Sequence, residues 1–257
     1  MNRTKIEWCD WTWNPITGCL HGCPYCYARK AAEDGPYLRG RAGYDAVQPF
    51  APAFHPLRLE QPLRVKRPGL VFVFSMGDAL GEWVPREWIS RVIDTCRAAD
   101  WHRFLWLTKN PERYADFTWP ENCWLGTSVT GEDTPENRAR LEAISDIEVL
   151  APAQFRVFVS VEPFTLGDGQ APALGFGFPA WVIIGAQTKP SVMPSELALS
   201  RAVAMTRELE IVSLFLKDSL RPVWERIAPG QPMPRQWPAG LRLEHGKSSE
   251  AMITAHH

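Results

Sequence analysis

Three cysteines fall within eight residues of this chain, in the run Thr17-Gly18-Cys19-Leu20-His21-Gly22-Cys23-Pro24-Tyr25-Cys26-Tyr27-Ala28-Arg29. The spacing is Cys-x3-Cys-x2-Cys, on a loop whose Gly22 and Pro24 help the thiolates converge on one centre. Thiolates suit zinc or iron–sulfur clusters. A structural zinc site is closed and takes four ligands. The fourth would have to be His21, Cys9 or something distant, and His21 is sandwiched between ligands. A cubane 4Fe–4S cluster on Cys19, Cys23 and Cys26 matches the count better, because it leaves one iron open for a small molecule. A helix starting near Tyr27 would point its positive end at this anionic centre.

The rest of the chain must supply a scaffold. Its 257 residues, 45% hydrophobic and 22% charged, suffice for one large domain with a full core and exclude a disordered tail or a coiled coil. The net charge of −1 excludes a generally basic nucleic-acid binder. No apolar run approaches membrane-spanning length, and Met1-Asn2-Arg3-Thr4-Lys5-Ile6-Glu7-Trp8 lacks the apolar core of a signal peptide, so the expected location is cytoplasmic. Six cysteines in such a chain suit metal binding or catalysis rather than a disulfide framework. Twelve tryptophans, with Trp8, Trp11 and Trp13 just ahead of the cysteines, read as packing in preference to ligand stacking.

Short, continuous apolar runs recur at Leu70–Phe74, Phe104–Leu107, Cys123–Leu125, Phe155–Val159, Trp181–Ile184 and Ile211–Leu216, as expected of strands covered on both faces of a parallel sheet. A first strand is expected within Trp11–Thr17. Helix signals lie between the runs: Pro85 opening a helix to about Ala99, Thr134-Pro135-Glu136-Asn137 opening one through Ile144, and Ser195 capping one through Glu210. The alternation predicts an α/β fold, a partial TIM-like barrel of six to seven parallel strands, over residues 1–245. Residues 35–68, punctuated by six prolines, read as an insertion with little regular structure, and residues 246–257 as a flexible tail.

With Tyr25 as the aromatic residue, the pattern Cys-x3-Cys-x-aromatic-Cys resembles the cluster motif of the radical S-adenosylmethionine (SAM) enzymes. There the open iron chelates the amino and carboxylate groups of SAM, and one electron cleaves it to methionine and a 5′-deoxyadenosyl radical that abstracts hydrogen from a substrate. Ile6-Glu7-Trp8, Thr12-Trp13-Asn14-Pro15, Val73-Phe74-Ser75-Met76-Gly77-Asp78, Leu107-Thr108-Lys109 and Ser160-Val161-Glu162-Pro163 narrow the resemblance to a phage-associated three-cysteine family of unassigned function, over about residues 5–217. Its distant superfamily relatives include the spore photoproduct lyases. The resemblance implies a 4Fe–4S cluster, SAM and a flavodoxin- or ferredoxin-type reductant; it does not imply a substrate.

In such a fold the cofactor pocket lies at the carboxyl ends of the strands. Ser75, Gly77 and Asp78 occupy the place of the superfamily's Gly-Gly-Glu, where backbone carbonyls receive the SAM amino group; Asp78 either adds an acceptor or caps the following turn. Lys109 would pair with the methionine carboxylate, Glu162 would accept from a ribose hydroxyl or the substrate, and Ser128, Ser160 and Tyr25 complete the expected lining. Lys217-Asp218, after the last strand, would reach the same mouth. Cys96 and Cys123 read as buried apolar residues, and Cys9 as core or as a hydrogen donor. The terminal His256-His257 pair reads as tail. Residues 29–67 carry eight basic against four acidic side chains, interleaved with Tyr37, Tyr44, Phe50 and Phe54, a combination that suits single-stranded nucleic acid as well as a solvated loop. The rival function is a non-catalytic iron–sulfur or zinc protein that binds nucleic acid or a phage partner through that segment.

Overall fold

The computed structural model describes residues 1–35, 38, 40, 43–150, 156–172, 174, 179–209 and 212–242, with the backbone alone for 148–150. Pro36, Tyr37, Arg39, Arg41, the expected strand ends at Phe155 and Ile211, Glu210 and the whole expected tail, His256-His257 included, lie outside the described residues.

Among the described residues one sheet has eight strands: β1 (Asn2–Arg3), β2 (Trp11–Trp13), β3 (Leu70–Val73), β4 (Arg103–Thr108), β5 (Cys123–Val129), β6 (Arg156–Val161), β7 (Trp181–Ile184) and β8 (Ser213–Leu216). They lie side by side in chain order. The β1–β2 pair is antiparallel and every later pairing is parallel. The expected parallel strands are therefore present, seven in number, but no pairing joins the two edges into a closed barrel. Instead, residues 234–236 run along the free edge of β8, bonding Leu216 N–H to Pro234 O and Gln236 N–H to Leu214 O.

Five helices accompany the sheet: α1 (Tyr27–Asp34), α2 (Arg86–Ala98), α3 (Pro135–Leu150), α4 (Glu196–Glu208) and α5 (Arg221–Ile227). Their starts follow the sequence signals. Thr134 Oγ1 accepts from Asn137 N–H at 3.2 Å, and Ser195 Oγ accepts from Ala198 N–H at 3.1 Å. Helix α3 continues past the expected end at Ile144, since no glycine or proline stops it there.

Alternate strand residues divide the core in two. Val71, Val73, Phe104, Trp106, Leu125, Val157, Val159, Val182, Ile184, Leu214 and Leu216 pack with the helices. Phe72, Leu105, Trp124, Phe158, Trp181, Ile183 and Phe215 face the other way and gather around Trp8. The Trp8 ring lies 4.7 Å from Phe72 on β3 and 6.1 Å from Trp181 on β7. In a flat sheet those strands would stand roughly 19 Å apart, four spacings of ~4.8 Å. The sheet is therefore curled around Trp8, with a filled interior. Gly126 takes part in this packing, because a Cβ there would lie 2.4 Å from the Phe158 ring.

The expected first strand breaks at Asn14-Pro15. Trp11–Trp13 joins the large sheet, whereas Ile16–Thr17 pairs antiparallel with Ala53–Phe54 of the proline-rich segment. The described residues of that segment otherwise show little regular structure, with a 3-10 turn at Pro56–Arg58 and a short helix at Gln61–Arg64.

Candidate metal centre

The cysteine loop leaves the Ile16–Thr17 strand at Gly18, whose φ of 86° is costly for other residues. Gly18 and Gly77 form a parallel backbone bridge, with Gly18 N–H bonded to Met76 O at 2.9 Å. A Cβ on Gly77 would stand 2.7 Å from the Gly18 carbonyl oxygen, so both glycines are needed for the two loops to touch. The Ser75–Asp78 loop turns off β3 at Phe74, which holds a φ of 65°. Asn14 ties the arrangement together by bonding the Ser75 hydroxyl through Nδ2 at 3.1 Å and accepting Met76 N–H at 2.9 Å.

Cys19, Cys23 and Cys26 are all partly exposed and free of disulfides. Cys26 caps α1, its sulfur accepting from Arg29 N–H at 3.4 Å, so the positive end of the helix meets a cysteine of the loop. Burial pushes the Cys19 thiol up to about 12; the backbone bond at His21 opposes it, and the smaller effects of Asp78, Cys23 and Cys26 add to it. Among the described residues, no three cysteine, histidine or carboxylate side chains are placed to share a single metal ion. Three thiols on one loop are a donor set whose chemistry suits zinc or an iron–sulfur cluster.

Asp78 is the hub beneath the loop. Its buried carboxylate accepts Thr108 Oγ1–H at 2.7 Å, Lys109 N–H at 2.9 Å and Leu80 N–H at 3.0 Å, and its Oδ2 lies 2.9 Å from His21 Nε2. Burial alone would raise its pKa; the His21 bond and charge, with the Lys109 and Thr108 bonds, outweigh it and hold the carboxyl below its ordinary value. Four bonds saturate a carboxylate's acceptor sites. Of the two roles read from the sequence, the cap of the following turn is seen directly, at Leu80 N–H. His21, considered there only as a fourth ligand, fastens the loop instead, its ring set edge-on to Trp83 at 4.9 Å.

Lys109 crosses from the end of β4 to the cysteine loop, where its ammonium bonds Cys23 Sγ at 3.2 Å and Tyr25 Oη at 2.6 Å. Burial would lower its pKa, but Tyr25 and Cys23 more than offset this and the pKa is raised.

On the curled sheet's inner face, beyond the aromatic layer, polar strand ends form a mouth. Ser128 and Ser160 are register partners, and Glu162 follows two residues further on β6's line. Glu162 pairs with Lys217 at 2.5 Å across Gly185, where a Cβ would lie 2.7 Å from Lys217 Cδ. Tyr27 is 60% exposed as a residue, while its hydroxyl donates to Ser75 O. Burial, then the nearby Glu162 and the Cys26 and Cys9 thiols, hold the phenol protonated. Tyr27 thus feels charges from the cysteine loop, from Cys9 and from Glu162. Cys9 packs on the Trp8 core, and burial keeps its thiol neutral. Cys96 and Cys123 are buried away from the mouth.

Three of the aromatic residues in the 29–67 segment lie within the described structure and serve packing. Tyr44 and Phe50 are buried against α1, and Phe54 stacks on Trp88 at 5.3 Å beneath Arg91. These rings fill a satellite core because α1 is short and its Ala28 and Ala32 leave room for them. They do not form a stacking platform.

A family model described as a protein of unknown function (DUF5131) matches residues 3–222. No curated protein matches the chain. A solved structure of a spore photoproduct lyase mutant with bound AdoMet and dinucleoside spore photoproduct is similar at 13% identity and a TM-score of 0.49, over 90% of this chain and 64% of that one. The chain thus spans less than two thirds of that structure's length.

Proposed function

The chain belongs to the family that this model describes, and from the chemistry of its site we propose that it is a radical SAM enzyme. The observation that carries the reading is the Cys19-Cys23-Cys26 loop, with its intervening Tyr25, set at the carboxyl end of the first parallel strand and opening onto the mouth of a curled sheet. Cys19, Cys23 and Cys26 would hold a 4Fe–4S cluster, with SAM at the iron they leave open. Bound there, the pair supplies one-electron cleavage of SAM and hence hydrogen abstraction.

The chain's own residues supply order around that chemistry. Gly18, Gly77, His21 and Asp78 fix the loop, and Lys109 keeps an ammonium on it. The Ser75–Asp78 backbone lies against the loop, where carbonyls would receive the SAM ammonium. Ser128, Ser160, Glu162 and Lys217 offer hydroxyl, carboxylate and ammonium partners for ribose, carboxylate or substrate groups. Trp8 and its aromatic neighbours seal the floor against water. Cys9 presents a neutral S–H near that floor, the protonation state a hydrogen donor requires. A flavodoxin- or ferredoxin-type protein would deliver the electron. Among the described residues no helix is long and apolar enough to cross a membrane.

Anaerobic reconstitution tests the reading. About four irons and four sulfides per chain are expected, lost in Cys19→Ala, Cys23→Ala and Cys26→Ala and retained in Cys96→Ala and Cys123→Ala. Incubation with SAM and dithionite should then release 5′-deoxyadenosine. Stoichiometric zinc without iron, or a loaded cluster that leaves SAM intact and unbound, would instead support the non-catalytic metal protein.

A further inference from the structure

Lys109 makes a contact that SAM binding does not explain. Its backbone is clamped on both sides, with N–H bonded to Asp78 and the carbonyl accepting from Arg140 Nε at 3.1 Å. From that fixed point the side chain reaches the cysteine loop. The ammonium lies 3.2 Å from Cys23 Sγ, 2.6 Å from Tyr25 Oη and 4.8 Å from the Tyr25 ring centre. Two of its three donors are thereby directed at the loop, and the aromatic face holds the charge in place.

We propose that Lys109 is a positioning residue that sets the reduction potential of the cluster through a charged N–H···S bond to its Cys23 ligand. The proposal rests on the cluster reading above. Reduction adds one electron to an already anionic centre, so a fixed cation at a ligand sulfur stabilises the reduced state more than the oxidised one. Without Lys109 the cluster becomes harder to reduce. Tyr25 has a matching part: its ring and hydroxyl hold the ammonium at the sulfur rather than in solvent.

The test is a redox titration of the reconstituted protein without SAM, with dithionite as electron source and the reduced cluster followed by electron paramagnetic resonance. In Lys109→Met and Lys109→Gln the ratio of reduced to oxidised cluster at a fixed potential should fall about tenfold, ~59 mV for a one-electron couple. Lys109→Arg should stay near wild type. Full iron content with an unchanged potential in both neutral variants would overturn the proposal. So would neutral variants that load no iron while Lys109→Arg loads it fully, because the contact would then serve assembly instead of potential. Failure of the wild type to bind iron is a separate result, and it would sink the cluster reading itself.

Discussion

Asp78 shows how a single side chain can tie a loop, a strand end and a turn together. Its carboxylate joins the cysteine loop through His21, the end of β4 through Thr108 and Lys109, and its own turn through Leu80. Asp78→Ala would leave those buried donors without an acceptor. Each unsatisfied group costs ~1–3 kcal/mol, so a loss of about 3 kcal/mol or more is expected in urea unfolding of the metal-free protein. Glu162→Gln, at the more exposed pair with Lys217, should cost less than about 1 kcal/mol. Equal midpoints for the two variants would show that Asp78 is not the hub described. The sequence places Asp78 beside the site, but its partners lie 30 and 57 residues away at Thr108 and His21, and only the fold selects them.

At the scale of elements, the proline-rich segment is fastened to the sheet by His55. Its Nε2 lies 2.8 Å from Thr17 Oγ1, just before the cysteine loop. Burial, then the charge of Arg58, lowers its pKa from 6.5 to about 4. Between those values the unfolded chain takes up a proton that the folded chain refuses. The stabilisation is therefore complete above about pH 6.5 and declines as the pH falls toward 4. His55→Gln keeps a side chain able to bond Thr17 but cannot titrate, so its melting temperature should fall less between pH 7 and pH 5 than that of the wild type. Identical slopes would assign the pH dependence to other groups. At the helix level, Ser195→Ala should cost about 1 kcal/mol by uncapping α4, measured by denaturant midpoint.

For the whole molecule, the question is what keeps an open sheet curled. Trp8 touches aromatic residues from β3, β6 and β7 at once, whereas the two edges are joined by Glu7, which pairs with Arg235 at 2.7 Å and accepts Asp218 N–H at 2.8 Å. Removing a fully buried tryptophan costs about 3–5 kcal/mol, while a partly exposed ion pair contributes about 1 kcal/mol or less. Trp8→Ala should therefore lower stability several times more than Arg235→Gln and disturb the near-ultraviolet dichroism of the interior aromatics. If Arg235→Gln proves the more damaging, the edges and not the interior hold the curvature.

What the sequence determined by itself was local. Apolar runs such as Trp181–Ile184 and Leu70–Val73 mark buried strands, and Thr134 and Ser195 mark helix starts, because each depends on neighbours a few residues away. Strand-end logic likewise points to Lys109, which the fold sets against Cys23, and to Ser128 and Ser160, which it makes register partners. The tertiary structure decided the pairings: Lys109 on Cys23, Lys217 on Glu162, His21 on Asp78, and Tyr44 and Phe50 folded inward rather than presented to a ligand. Those choices depend on how far the sheet curls around Trp8 and on where the 35–68 segment returns to Thr17. Residues distant in the chain come within hydrogen-bonding distance only once that curvature exists, so no periodicity or spacing along the chain encodes them.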